Sequence, residues 1–478
     1  MIYNGISTGP GSQTATSFLY LNDLVVTSNG GIFVSDQFGD LSTVWAAGNH
    51  TYISQAYPTS MTFLDQAIYL VSGLSTVAVM STSTNFTLGY LVASTFAPST
   101  STVNAVPPNC TFCATWRGSL ILGGAPNDPQ NIYASRYSAP TDWNFAATDP
   151  SAAWALNASN AGAVGEPVVS FMPYSDDLAI IFTVNNVWLL QGSPAAGGTL
   201  THLSNSGILA WNGWCVDDQG YAYWITCAGI WKCLPLWSQY RPPERITDQS
   251  WTQFFSQLDP SKQQIQLVYD QLNKFLRVFA TPFNGSQGTQ LVLDMRKQGA
   301  VLPIQYQSTA GPTVSASFAT GLGNYQQLLA LGGEDGVVRS ENVNAAPSTV
   351  SIFYCPQPIC PDPTSQSLMQ TLDIDLGEIP INSVIPSTAM NGTIIVTAGP
   401  TAADVGFDFS YPYTSTSTAG TVTQWVGSFA LDRRQQTIYP RVSGAWFSVA
   451  ISTSPGNYFS IERLIGTWLP FGMNRTYR

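Results

Sequence analysis

Charge is what this 478-residue sequence has least of: Lys, Arg, Asp and Glu together make up 9% of it, against about a quarter in an ordinary globular protein. The 17 Lys and Arg face 28 Asp and Glu, a formal net charge of −11. No basic block is present to grip phosphates, which argues against a sequence-reading DNA binder. An acidic surface that lets DNA slide past remains compatible. His50 and His202 are the two histidines. Neither lies in a recognisable motif, so a nucleophilic triad has no evident base. No GxxxxGK[ST] phosphate loop occurs. Apolar runs stay well short of the ~20 residues of a membrane helix, so no membrane span is expected. The opening MIYNGISTGPG lacks a basic region and an apolar core, so no signal peptide is expected.

Cysteine is scarce and scattered, at Cys110, Cys113, Cys215, Cys227, Cys233, Cys355 and Cys360. An odd number at irregular spacing is a poor disulfide framework. Cys110 and Cys113 form a CxxC without the second pair that a structural zinc site usually needs, so ordinary buried thiols are expected and no metal or cofactor.

Aromatics are abundant at 12%, including 14 Trp, and so are Gly (40) and Pro (31). That excludes disorder, which goes with few aromatics and many charges. The composition reads as β-structure wetted by hydroxyls and amides. A hairpin unit recurs: a polar turn residue, an apolar strand, a Gly or Asn turn, and a second alternating strand. Its anchors are Asp23, Asp65, Arg117, Asp177, Asp218, Asp270 and Asn324, spaced 41 to 60 residues apart. Such a period, all strand and turn, is what a β-propeller blade needs. The expected fold is an all-β propeller of six or seven blades over 1–345, favoured over stacked β-sandwiches. Within 247–258, Trp251, Phe254, Phe255 and Leu258 fall at i, i+3, i+4 and i+7 behind Thr247, which predicts a short amphipathic helix with Thr247 as N-cap. A Pro- and Cys-rich stretch at 345–366 marks a boundary. Residues 346–478 then read as a C-terminal antiparallel β-domain, either completing the propeller or contacting neighbouring subunits.

The stretch NIYASRYSAPTDWNF, from Asn131 to Phe145, joins an alternating strand to a turn built on Pro140 and Asp142. The Gly165-led GEPVV and the Tyr174-led YSDDLAIIF follow it. Then come the Asn186-led NVWLLQGSP, the Gly220-led GYAYW and the Gly229-led GIW. This order of elements, from Trp116 to Cys233, resembles the tail-hub or nozzle (packaged-DNA stabilisation) proteins of short-tailed bacteriophages. The closing GAWFSVAIS and FSIERLIG segments are similar too. Where turns of that family often carry Asp before the Pro, this chain has Ala139.

The resemblance implies a virion protein of the phage tail, assembled in the host bacterial cytoplasm. It implies a homo-oligomer, typically of six copies, forming a tube below the portal-adaptor ring. The tube would retain packaged double-stranded DNA and conduct it at ejection without reading its sequence. Tail needle, knob, fibre or spike proteins would be further partners. The motif residues Tyr133, Pro140, Asp142, Trp143, Trp188 and Trp231 would then be structural, with Trp143 a packing anchor or interface residue.

Two other readings compete. A propeller glycosidase needs inward carboxylates about 5 to 10 Å apart. Asp36, Asp142, Asp217 and Glu334 are the candidates, yet they share no position in the repeat beyond turn chemistry, so no enzyme is expected. A glycan-binding propeller is the stronger alternative, because exposed Trp and Tyr stack on sugars.

Overall fold

The computed structural model describes residues 105–233 without a break, most of 17–93 and 242–304, and segments, chiefly strands, within 313–340 and 353–473. The chain divides into two compact units, Met1–Glu341 and Asn342–Arg478.

Among the described residues, the first unit is a succession of seven antiparallel meanders. They span 17–45, 60–90, 112–155, 168–204, 214–245, 263–304 and 313–340, six with four strands and the last with three. The first strands of neighbouring sheets lie against one another: second on third, third on fourth, fifth on sixth, and sixth on seventh. The seventh lies against the first. Sheets that meet along their first strands and close on themselves define a β-propeller, here of seven blades. Six of the seven recurrent anchors precede the second strand of a sheet, and the remaining one, Asp23, begins one.

Side-chain alternation builds the contacts between blades. On the second strand of the third sheet, Ser119–Gly123, all five residues are buried. Leu120 and Leu122 join Leu64, Tyr69 and Val71 of the preceding sheet. Ile121 points the other way, onto Phe171, Ala179 and Ile181 of the next. In the fourth sheet, Ile180 and Phe182 then face Ala222 and Trp224 of the fifth. A strand with both faces buried is apolar at nearly every position, which explains runs such as LAIIF and SLILG. The fourth strand of the fourth sheet carries the opposite pattern: Thr199–Ser204 is largely exposed and polar, as suits an edge.

The anchors themselves are turn devices. Asp65 and Gln66 have φ of 47° and 61°, and Arg117 and Gly118 have 51° and 70°. Positive φ at both central residues fits a two-residue hairpin turn to the twist of its strands.

The helix is shorter than its sequence pattern suggests, running only from Thr252 to Ser256. Trp251, Phe254, Phe255 and Leu258 are all buried, as their spacing predicts. Thr247 is not the N-cap. Its hydroxyl accepts the Ile230 N–H at 3.1 Å and so fastens the third strand of the fifth sheet. Gly229 makes that approach possible: its φ is +142°, and a Cβ there would lie 2.1 Å from the Thr247 hydroxyl. The N-cap position falls to Trp251, which makes no side-chain capping bond.

The second unit is a sandwich of two sheets around one core. Ile394, Val396, Phe447, Val449 and Ile451 of one sheet meet Met369, Leu372, Ile374 and Leu376 of the other. On the long strand Ser365–Leu376 burial changes phase, from Ser367 and Met369 to Leu372, Ile374 and Leu376. A register shift between Met369 and Thr371 against Ile461–Met473 accounts for it, since one extra residue flips the strand's faces.

One polar interaction lies deep in the propeller. Arg277 Nη2 meets Asp270 Oδ2 at 2.7 Å across the first hairpin of the sixth sheet, each side chain 2% exposed. Arg277→Ala removes one partner of a buried charge pair, a loss of about 3–5 kcal/mol. Urea unfolding should show that loss, and a change below about 1 kcal/mol would mean the pair is not a buried, mutually dependent one.

Candidate functional site

The Asn131–Phe145 stretch lies in the third blade. Ile132–Ala134 is its third strand, paired with Ile121–Gly123 on one side and Trp154–Ala155 on the other. The chain between is folded back by backbone bonds, Ala139 N–H to Arg136 O at 3.1 Å and Arg136 N–H to Asp142 O at 3.0 Å. Asp142 is 2% exposed. Its Oδ1 accepts the Asn144 N–H at 3.0 Å, the local fastening expected of a turn Asp. Arg136 braces the excursion from outside, with Nη2 at 2.8 Å from Asp149 Oδ1. Trp143 is fully buried and packs beside Leu120 and Leu122 between the second and third blades. It is a packing anchor within the fold. Pro140 is half-buried. Tyr133 donates its hydroxyl to Asp128, and burial, then that bond, pushes its pKa up.

The other two motif residues stand on separate blades. Trp188, in the fourth, meets His202 edge-on at 5.0 Å, and His202 Nε2 is 3.0 Å from Asn186 Oδ1. Trp231, in the fifth, donates its indole N–H to Thr226 Oγ1 at 3.2 Å.

Of the four carboxylates considered for hydrolysis, the two described ones, Asp142 and Asp217, are each engaged in a local turn. Asp217 is spent in a turn, accepting Gln219 and Tyr221 N–H groups at 2.9 and 2.8 Å and the Tyr223 hydroxyl at 2.9 Å. Asp142 is enclosed as described, and Asp36 and Glu334 lie outside the described residues. His50 falls between the first two blades, far along the chain from His202. Cys110 and Cys113 are buried thiols whose pKa values burial pushes up to about 12. Both are protonated at neutral pH and poor nucleophiles. Among the described residues no cluster of three or more His, Cys, Asp or Glu could hold a metal ion.

Two cavities open on opposite faces of this part of the ring. The first, about 810 Å³, lies where first and second strands turn, between the third and fourth blades. Arg117 spans it, with Nη1 2.8 Å from Asp177 Oδ1 and 3.0 Å from Asp176 O. Trp116 Nε1 donates to Ser175 O at 2.7 Å beneath. The second, about 1050 Å³, lies among the turns joining second to third strands. Its walls include Trp211 and Trp231 with Asn185, Asn205 and Gln263, drawn from the third to the sixth blades. The sequence motifs single out Trp231 but miss Trp211, which sits in a connection outside the hairpin units.

Glu166 holds one wall of the second cavity in place. It accepts the Thr183 hydroxyl at 2.7 Å, the Asn185 N–H at 3.3 Å and the Asn186 side-chain amide at 2.8 Å. Those bonds, the Thr183 bond first, lower its pKa.

No family model and no curated protein matches the sequence. Among solved structures the chain is similar to a quinonprotein alcohol dehydrogenase-like protein from Bacteroides thetaiotaomicron VPI-5482. The identity there is 12% and the TM-score 0.38, over 61% of this chain and 65% of that one. It is also similar to BamB from Moraxella catarrhalis, at 10% identity and a TM-score of 0.38, over 69% of this chain and 94% of that one. The chain thus spans 65% of the length of the first.

Glu166→Gln should lower the melting temperature at pH 7. A carboxylate with a lowered folded pKa stabilises fully above its unfolded value of about 4.3 and less as pH falls through the folded one. The gap between parent and variant should therefore narrow below about pH 4. Calorimetry showing the same gap at pH 7 and pH 3 would refute the assignment.

Proposed function

We propose that this chain is a structural protein of a short-tailed phage virion, a tail hub or nozzle that retains packaged DNA and conducts it at ejection. The observation that carries this reading is the run of motifs from Trp116 to Cys233, which occupies three consecutive blades. Its most distinctive element, the Pro140–Trp143 turn, buries Asp142 and Trp143 and is braced by Arg136 as a structural device. The role is mechanical, without catalysis. Six copies would stand below the portal-adaptor ring in the tail, assembled in the host cytoplasm.

Charge supports the same role. A wall rich in Lys and Arg binds duplex DNA through counterion release and slows its transit. A chain with a net charge of −11 has few cations to spend on such a wall. At physiological salt the field of outward charges fades over about 8 Å, so wall residues alone act on the duplex.

Particle sizing of the purified chain, with and without its adaptor ring, tests the assembly. A ring or tube that forms only on the adaptor is the expected result, and a chain that stays monomeric with it counts against the role. The same protein should bind duplex DNA weakly. Tight, salt-sensitive binding by the isolated chain would contradict a sliding surface.

A further inference from the structure

We infer that the cavity of about 1050 Å³ among the third to sixth blades is a binding site for a neutral oligosaccharide. The inference goes beyond the assembly role and does not depend on it. Three features carry it.

The first is size. The volume stands at the upper end of small-molecule pockets, about 300–1,000 Å³, and so admits more than a single small ring.

The second is charge. Among the described residues the lining holds no Lys, Arg, His, Asp or Glu. Nucleotides, sugar phosphates, acidic glycans and free amino acids each bring charge that a built site would pair, so these are disfavoured. Single-stranded nucleic acid also stacks on aromatic rings, but it needs a cationic groove for its backbone. Glu166 is turned to the Val184–Asn186 turn, where it is engaged by three bonds, and Asp259, beside the lining at Pro260 and Ser261, pairs with Lys262 at 2.8 Å and accepts the Ser261 hydroxyl at 2.6 Å.

The third is the pairing of flat rings with amides. Trp211 and Trp231 are both half-buried, each with part of its ring packed on a core cluster. Because the Trp231 indole N–H is satisfied internally by Thr226, that ring is fixed in place rather than free to turn. A fixed indole is a rigid amphipathic platform, suited to the apolar face of a pyranose. Around the rings stand Asn185, Asn205, Gln263 and Ser261. A side-chain amide both donates and accepts, and so does every sugar hydroxyl, so the two match without any ionised partner.

The test is a tryptophan-fluorescence titration of the full chain. The probes are neutral tri- to hexasaccharides of glucose, galactose, mannose, rhamnose and N-acetylhexosamines. A sialylated trisaccharide, oligothymidylate and a proline-rich peptide serve as comparators. At least one neutral glycan should give a saturable change at millimolar or lower concentration. Asn185 and Asn205 are exposed, so the double variant Asn185→Ala/Asn205→Ala should fold and melt as the parent does while binding about tenfold more weakly. Trp211→Ala should remove most of the fluorescence response. The inference fails if no neutral glycan binds. It also fails if binding is untouched in both variants, or if the peptide or a charged probe binds and the neutral glycans do not. None of these results bears on assembly with the adaptor ring.

Discussion

The propeller depends on one constraint: the second strand of each blade must be apolar on both faces, because it lies between two neighbouring sheets. Leu120 and Leu122 serve the second blade while Ile121 serves the fourth, from one unbroken strand. Burying such a side chain contributes about 1.5–3 kcal/mol, and that gain exists only while the neighbouring sheet is in place. A single blade therefore has little reason to be stable alone. Closure between the seventh and first sheets removes the two sheet faces that an open row would leave uncovered.

Other features read as consequences of that packing. Polar groups drawn between the sheets are satisfied there, as Asp270 is by Arg277. Trp143 fills space beside Leu120 and Leu122 that a tight third-to-fourth turn would leave open, so the long excursion after Arg136 belongs to the core. The cavities appear where the strands diverge toward the turns. Aromatic side chains line both, joined by Arg117 and Asp177 in the first and by Asn185, Asn205 and Gln263 in the second.

Much of this architecture is legible in the sequence. Asp65-Gln66 and Arg117-Gly118 mark two-residue turns, and the apolar runs after them announce doubly buried strands. The aromatic spacing at 251–258 identifies the buried face of the helix. What escapes is whatever depends on a distant partner. Thr247 looks like a cap until Ile230 is brought beside it. The phase change at Met369–Thr371 is visible only against the strand it pairs with. Trp211 and Gln263 are 52 positions apart, and no local pattern connects them to one cavity. The proposed function rests on the order of motifs along the chain, since no metal-binding cluster stands out among the described residues.

Hydrogen exchange read strand by strand tests the central constraint most directly. Amides of the second strands should be the slowest in all seven sheets, from Asp23–Ser28 to Gln327–Gly333, and should open together. Outer strands such as Thr199–Ser204 should exchange earlier. Slow exchange confined to the third, fourth and fifth sheets, with the first and seventh opening independently, would contradict a closed ring.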